Sequence, residues 1–145
     1  MKAISLLQPW ASLAVMGIKS IETRNWNTKF RGRILIHASK GKSGKIFAEQ
    51  DLFKRHIPDF KLIPYGAIIG SVDILNVIHI ENLFMKDELI NKLSLENKAF
   101  GDYGVGRYAW ILESPIVFDM PIAFKGMMGI WDFPDEILKN LSDIN

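Results

Sequence analysis

The chain has 145 residues, a formal net charge of +2 and no cysteine. This length suits one ordinary domain, and a hydrophobic content of 48% is enough for a packed core. The absence of Cys excludes disulfides, thiolate nucleophiles and Cys-ligated zinc. No apolar run approaches the ~20 residues of a membrane span, and the N-terminus lacks a secretory signal, so we expect no membrane association and a cytoplasmic location.

The basic residues are concentrated in the first third of the chain. Between residues 1 and 50, nine Lys and Arg face only two acidic residues, Glu22 and Glu49. This asymmetry is typical of a protein with a polyanionic partner, and a solvated basic face without a partner gives the same pattern. The charge distribution is therefore compatible with nucleic-acid binding and does not establish it.

The first elements are a β-like run at residues 2–7 and a helix at Pro9–Met16. Pro9 suits a first helical position, and Gly17 is a natural helix stop. Residues 20–26 then alternate as a strand. Because strand side chains switch faces at each step, Glu22, Arg24 and Trp26 should share one face.

The rest of the chain alternates between short strands and helices. The predicted elements are a strand at 32–39, a helix at 42–57, a β-rich run at 66–80 that Gly70 bends, a helix at 81–93, a glycine-rich loop entering a strand at 100–118, a loop and last strand at 123–133, and a helix at 134–141. With no repeat and no linker, this order predicts a single α+β domain over residues 1–145, built around a small β-barrel.

The segment Gly17–Trp26 is the strongest candidate for a binding site. Lys19 precedes the strand that carries Glu22, Arg24 and Trp26. The carboxylate could hold the ammonium for an anionic ligand, or burial could shift a pKa and make one of them a general acid or base. Arg24 offers a planar fork for phosphate, and Trp26 a face on which a base can stack. An exposed, salt-bridged strand with Trp26 in the core would show the same spacing.

A second basic segment follows, with Arg31 in a turn and Lys40 after the next strand. His37 and Ser39 share one strand face and could line a cleft, or His37 could simply be satisfied by the backbone. The histidines lack metal-ligand spacing, and the glycines at 101–106 do not form a dinucleotide-binding fingerprint. We therefore expect neither a metal nor a cofactor.

The motif GxKxxExR is complete as Gly17, Lys19, Glu22 and Arg24. With the segments SLLQPWASL, RNWNTKFRGRILIHASK, GRYAWIL and KGMMGIW in order around it, the chain resembles the ASCH domain family of the PUA-like superfamily. The resemblance implies a PUA-like β-barrel of five or six strands with flanking helices. It also implies a cleft where the first helix meets the strand of Glu22, and binding of RNA.

The resulting hypothesis is a module that binds RNA, another single-stranded nucleic acid, or a nucleotide or nucleoside. The residues expected to contact phosphate are Lys19, Arg24, Arg31 and Lys40, those expected to stack a base are Trp10 and Trp26, and those expected to read its edge are Gln8 and Glu22. His37 and Ser39 complete the candidate ligand-binding set.

Two alternatives remain open from the sequence. In the first, the same cleft belongs to a small hydrolase, amidohydrolase-like or ribonuclease-like, in which Lys19 activates a water or hydroxyl and Glu22 orients or protonates the substrate. In the second, the barrel surface serves a protein-interaction adaptor. An adaptor would be favoured by a cleft closed by core side chains, with Lys19 and Arg24 pointing into bulk water.

Overall fold

The chain forms one mixed sheet with short helices against it, in a computed structural model that describes residues 1–141. The strands are β1 (Lys2–Leu6), β2 (Ile21–Arg24), β3 (Gly32–Ala38), β4 (Ala67–His79), β5 (Tyr108–Ala123) and β6 (Ile130–Asp132). The helices are α1 (Trp10–Val15), α2 (Lys45–Ala48), α3 (Asp51–Lys54), α4 (Leu83–Asn91), α5 (Leu95–Phe100) and α6 (Asp135–Leu141). Within that range, none of the helices has the length and apolar character needed to cross a bilayer.

The sheet has the strand order β2-β5-β4-β3-β1-β6. β1 and β3 run parallel, and the other neighbouring strands pair antiparallel. This arrangement confirms the predicted α+β class with six strands and flanking helices. No hydrogen-bonded pairing joins β2 to β6 within residues 1–141, so the sheet stays open and is barrel-like only loosely.

The pairing of the long strands β4 and β5 is irregular at Gly70 of β4, the position where the sequence predicts a bend or bulge. The register between them shifts between Ile68 and Gly70. A Cβ at Gly70 would lie 2.1 Å from the carbonyl oxygen of Ile116 and 2.9 Å from Cγ1 of Val15. Gly70 therefore allows β5 and helix α1 to approach the backbone of β4 more closely than any side chain would permit.

Helix α1 occupies the middle of the predicted segment Pro9–Met16, with these two residues flanking it. Its residues from Ala11 to Val15 are all buried, which fixes the helix against the sheet. Gly17, at φ +79, then turns the chain away, because this backbone conformation is left-handed and favours glycine. The turn directs the following residues back toward the core.

The helix predicted at 42–57 is wrong as a single element, because the chain forms α2 and α3 with a break between them. Gln50 is extended, with φ −68 and ψ 143. The break directs Phe47 toward Trp10 at a ring distance of 5.2 Å, while Phe53 is fully buried against Phe100. A single straight helix could not bring Phe47 to Trp10 and Phe53 to Phe100 at the same time. Tertiary packing therefore overrides the local helical period.

We predict that Gly70→Ala lowers the free energy of unfolding by at least about 2 kcal/mol, since the new methyl group meets a backbone oxygen that cannot move aside. Gly104→Ala is the control, because the nearest atoms to its new Cβ are Oδ1 of Asp102 at 3.3 Å and Cδ of Arg107 at 3.8 Å. It should cost less than about 1 kcal/mol. Urea denaturation measures both, and equal losses would contradict the prediction.

Candidate functional site

A cleft of about 360 Å³ opens between α1, β2, α2 and the loop that follows α5. We call it the main cleft. The residues that line it are Leu7, Trp10, Glu22, Thr23, Arg24, Phe47, Ala99, Phe100, Gly101, Asp102 and Arg107. Its volume lies in the range of small-ligand sites, and its wall combines aromatic rings with charged groups of both signs.

A buried ion pair holds Glu22, one of the residues that line the main cleft. The side chain of Lys19 has no exposed surface, and its Nζ lies 3.0 Å from Oε1 of Glu22 and donates to the carbonyl oxygen of Ile21. The same Oε1 accepts the backbone N–H of Thr23 at 3.0 Å. Burial lowers the pKa of Lys19, and the negative charge of Glu22 opposes that shift.

The spacing of the GxKxxExR motif follows from this geometry. The backbone N–H groups of Ile18 and Lys19 both donate to the carbonyl of Leu13, which closes the end of α1 just after the turn at Gly17. Lys19 thereby enters the core at the start of β2. Three residues later Glu22 meets it from the strand, and Glu22 is also a lining residue of the main cleft.

Two guanidinium groups stand at the wall of the main cleft. Arg24 Nη1 lies 3.8 Å from Oε2 of Glu22, too far for a hydrogen bond, so this oxygen can accept one from a ligand. Arg107 donates to the carbonyl oxygens of Asp102 at 2.9 Å and Thr23 at 3.1 Å. Its Nε also lies 3.5 Å from the carboxylate of Asp102. The cleft therefore presents cations beside acceptors rather than a uniformly positive surface.

Aromatic rings form another part of the cleft wall. The half-buried Trp10 lies 5.2 Å from Phe47 in a tilted arrangement and 6.1 Å from Phe53 edge-on. Phe47 is 43% exposed, and Phe100 is buried at the base of the wall. Flat rings that share a cleft with a carboxylate and guanidinium groups suit a planar, polar heterocycle such as a nucleobase.

Hydrogen bonds join the segment from residue 97 to residue 107 to β2 and to Ser20, the residue before it. The backbone N–H of Asp102 donates to Oγ1 of Thr23 at 2.9 Å, and Asn97 hydrogen-bonds Ser20 through both its side-chain oxygen and its nitrogen. Burial, reinforced by the charge of Glu22, raises the pKa of Tyr103. Its phenol stays protonated and donates to the carbonyl oxygen of Asn97 at 2.7 Å.

The main cleft collects three of the ten predicted ligand-binding residues, namely Trp10, Glu22 and Arg24. Lys19 lies behind Glu22 and does not line the cleft, so its ammonium contacts protein groups rather than open space. Gln8 is completely buried and bonded at both ends, donating to Ser12 Oγ and to the Pro64 carbonyl and accepting from Ser12 N–H. In this arrangement Gln8 anchors the start of α1.

Trp26 and Arg31 lie outside the lining of the main cleft. Trp26 packs edge-on against Trp110 at 4.9 Å, and Arg24 lies 5.6 Å from the centre of its ring. The exposed Arg31 donates to the carbonyl oxygens of Thr28 and Phe30 in its own loop. Trp26 thus supports Arg24 from the side.

The other three predicted residues, His37, Ser39 and Lys40, line a second pocket of about 930 Å³. The second pocket is lined by Ser5, His37, Ser39, Lys40, Tyr65, Gly66, Ala123, Phe124, Lys125, Gly126, Met127 and Met128. The predicted set therefore divides between two cavities instead of forming one.

Sequence reasoning missed the half of the main cleft that comes from residues 99–107. The glycines there indicate a flexible loop, and nothing in that pattern indicates that Asp102 and Arg107 line a cleft. Helix α5 was also missed, although Ser94 caps it by accepting the N–H of Asn97 at 3.1 Å. A serine followed by helix-forming residues was the available signal.

A family model described as "ASCH domain" matches residues 4–121. Activating signal cointegrator 1 of Mus musculus and that of Homo sapiens are each 28% identical to the chain over 140 residues. The match covers 92% of this chain and 22% of each relative, so the chain spans about a fifth of the length of these proteins.

Solved structures of an ASCH protein from Zymomonas mobilis share the fold. One has a TM-score of 0.60 at 17% identity and covers 99% of this chain and 94% of its own. Its Y47F mutant gives a TM-score of 0.59 at 16% identity, covering 99% and 96%. At this identity the likeness describes the arrangement of the elements and not the ligand.

We predict that Lys19→Met lowers the free energy of unfolding by about 3–5 kcal/mol, because Glu22 would remain buried without its partner charge. The double variant Lys19→Met/Glu22→Gln should recover a large part of that loss. Urea denaturation of both single variants and the double variant completes a mutant cycle. Strictly additive effects would show that the pair is not energetically coupled.

We also predict an acid-sensitive contribution to stability from His37. Burial lowers its pKa in the folded protein, so the unfolded chain takes up the proton at higher pH. The neutral ring therefore favours folding above the unfolded pKa of about 6.5, and this advantage declines as the pH falls toward the folded pKa. His37→Gln, which has no titrating group, should show a shallower loss of stability between neutral and mildly acidic pH. Identical slopes in the two proteins would contradict this assignment.

Proposed function

Because the chain belongs to the ASCH domain family, a PUA-like fold generally associated with RNA, we propose that the main cleft binds one nucleotide of a single-stranded RNA. One observation carries the proposal. Trp10 and Phe47 line a cleft of about 360 Å³ together with Glu22, Arg24 and Arg107. RNA modules recognise unpaired bases with this combination of stacking and hydrogen bonding to base edges.

Each group in the main cleft has a role in this proposal. Trp10, backed by Phe47, stacks the base. Oε2 of Glu22 accepts an N–H from the base edge, while Oε1 stays committed to Lys19 and Thr23. Arg24 and Arg107 face the phosphate or sugar, where a guanidinium can donate two hydrogen bonds at once.

The burial of Lys19 favours binding over the hydrolase alternative. A lysine whose pKa is lowered beside a carboxylate suits a general base, which is the attraction of that alternative. Its side chain has no exposed surface, however, and its ammonium is occupied by Glu22 and the Ile21 carbonyl. We therefore propose that Lys19 positions Glu22 and does not touch the ligand.

The open cleft also argues against the adaptor alternative. That alternative required core side chains to close the cleft and Lys19 and Arg24 to point into bulk water. Instead the cleft is open, Lys19 is fully buried, and the side chain of Arg24 is 27% exposed at the cleft wall. Charged groups held at fixed positions inside a concavity suit a small polar ligand better than a broad protein surface.

We predict that Trp10→Ala and Arg24→Ala each weaken binding of a fluorescein-labelled RNA hexamer with randomised bases. Loss of stacking should cost about 1–3 kcal/mol. Loss of a phosphate contact should reduce the slope of log affinity against log salt by about 0.7. Fluorescence polarisation over a salt series measures both effects.

Arg55→Ala is the matched control, because Arg55 is exposed and lines neither the main cleft nor the second pocket. It removes the same charge as Arg24→Ala and should leave the affinity nearly unchanged. Absence of salt-sensitive RNA binding by the unaltered protein would refute the proposed function. If Arg55→Ala lost as much affinity as Arg24→Ala, the main cleft would not be the binding site.

A further inference from the structure

The second pocket is positively charged without internal compensation. Lys40 and Lys125 line it, and none of its lining residues is acidic. Within residues 1–141, neither lysine has a carboxylate within ion-pair distance. Lys42 adds a third positive charge beside the pocket, with its Nζ 3.0 Å from the centre of the Tyr65 ring. This uncompensated charge differs from the mixed charge of the main cleft.

Hydrogen bonds among neutral groups hold the wall of the second pocket. They join the side chains of His37, Ser5 and Trp131 and the carbonyl group of Phe124, which together we call the frame. Nε2 of His37 lies 2.7 Å from the Phe124 carbonyl oxygen, which can only accept, so this nitrogen carries the proton. Nδ1 then accepts the hydroxyl of Ser5 at 3.1 Å, while Trp131 Nε1 donates to the same hydroxyl at 3.3 Å. Every polar group of the frame is thus satisfied within the protein.

The frame positions the loop that carries Lys125. Gly126 packs directly on the frame, since a Cβ there would lie 2.5 Å from the ring carbon Cε1 of His37 and 2.6 Å from Ser5 Oγ. The residues before and after Lys125 both contact His37, because the Phe124 carbonyl accepts a hydrogen bond from the ring and Gly126 packs against it. The backbone at Lys125 is therefore held in place. The ammonium of Lys125 is therefore presented by a rigid segment rather than a free loop.

The second pocket lies next to the main cleft along the chain and in space. Ser39 and Lys40 line the second pocket, and Phe47, seven residues after Lys40, lines the main cleft. Between them, a Cβ at Gly41 would lie 3.0 Å from the side chain of Leu7, another residue of the main cleft. The segment between Lys40 and Phe47 therefore separates the two cavities, and a nucleic-acid strand that occupied both would cross it.

We propose that the second pocket binds the backbone phosphates of the nucleotides that flank the one held in the main cleft. This inference rests on the proposed function and extends it, making the ligand a single strand several nucleotides long rather than a free nucleotide. Lys40 and Lys125 supply the phosphate contacts, which carry no base specificity. The exposed Met127 and Met128, at 54% and 96%, offer apolar contact to the bases.

The double variant Lys40→Ala/Lys125→Ala tests the proposal. Both side chains are exposed, so the fold should persist, and a circular-dichroism melt checks this. Affinity for the RNA hexamer should fall on the order of ten-fold at low salt, and the salt slope should decrease by about 0.7 for each lysine. Thermal-shift stabilisation by the four ribonucleoside monophosphates should change much less, because a monophosphate held in the main cleft lacks the flanking phosphates that the second pocket binds.

Lys54→Ala/Lys61→Ala is the matched control, since both lysines are exposed and line neither cavity. An equal loss of hexamer affinity in this control would overturn the inference by showing a general charge effect. Hexamer binding that depends on Arg24 and is unaffected by Lys40→Ala/Lys125→Ala would overturn it while the proposed function stands. If the unaltered protein binds neither hexamer nor monophosphates, both proposals fail.

Discussion

The buried pair of Lys19 and Glu22 is the interaction on which the site depends. A buried charge is costly unless it is paired and hydrogen-bonded, and here the ammonium meets a carboxylate and a carbonyl oxygen. The pair ties the end of α1 to β2, and it commits one oxygen of Glu22 to the protein. Glu22 also lines the main cleft, where its other oxygen lies 3.8 Å from Nη1 of Arg24, so the structural ion pair holds in place a carboxylate that belongs to the cleft lining.

The two cavities offer different kinds of chemistry to a ligand. The main cleft balances the charges of Arg24 and Arg107 with those of Glu22 and Asp102 and adds aromatic walls, so shape and hydrogen bonding should dominate there. The second pocket carries positive charge alone and should respond mainly to phosphate and ionic strength. Such a division would let one region hold the strand and another select the nucleotide.

The basic bias of the first third of the chain is only partly available to a ligand. Lys2 is paired with Asp132 at 2.9 Å and Arg33 with Asp73 at 3.1 Å, so later parts of the chain neutralise these charges. Arg24 and Lys40 remain at the cavities. A count of charges along the sequence therefore overstates the positive surface, because it cannot include pairing between residues far apart in the chain.

Local sequence patterns determined the α+β class, helix α1, the irregular strand pairing at Gly70 and the closeness of Lys19, Glu22 and Arg24. These features depend on side-chain period and on backbone preferences within a few residues, which are readable without a fold. The same reasoning favoured one continuous helix at 42–57, because the period alone does not show which partners its two halves must meet.

Only the tertiary structure decided which distant residues complete each cavity. Arg107 reaches the backbone of Thr23, and Lys125 borders a pocket with Lys40, through the order and register of the strands. The tertiary structure also decided that Lys19 is buried behind Glu22 and that His37 lines the second pocket. A strand pattern gives the face on which a side chain lies, whereas depth and neighbours depend on what packs against that face.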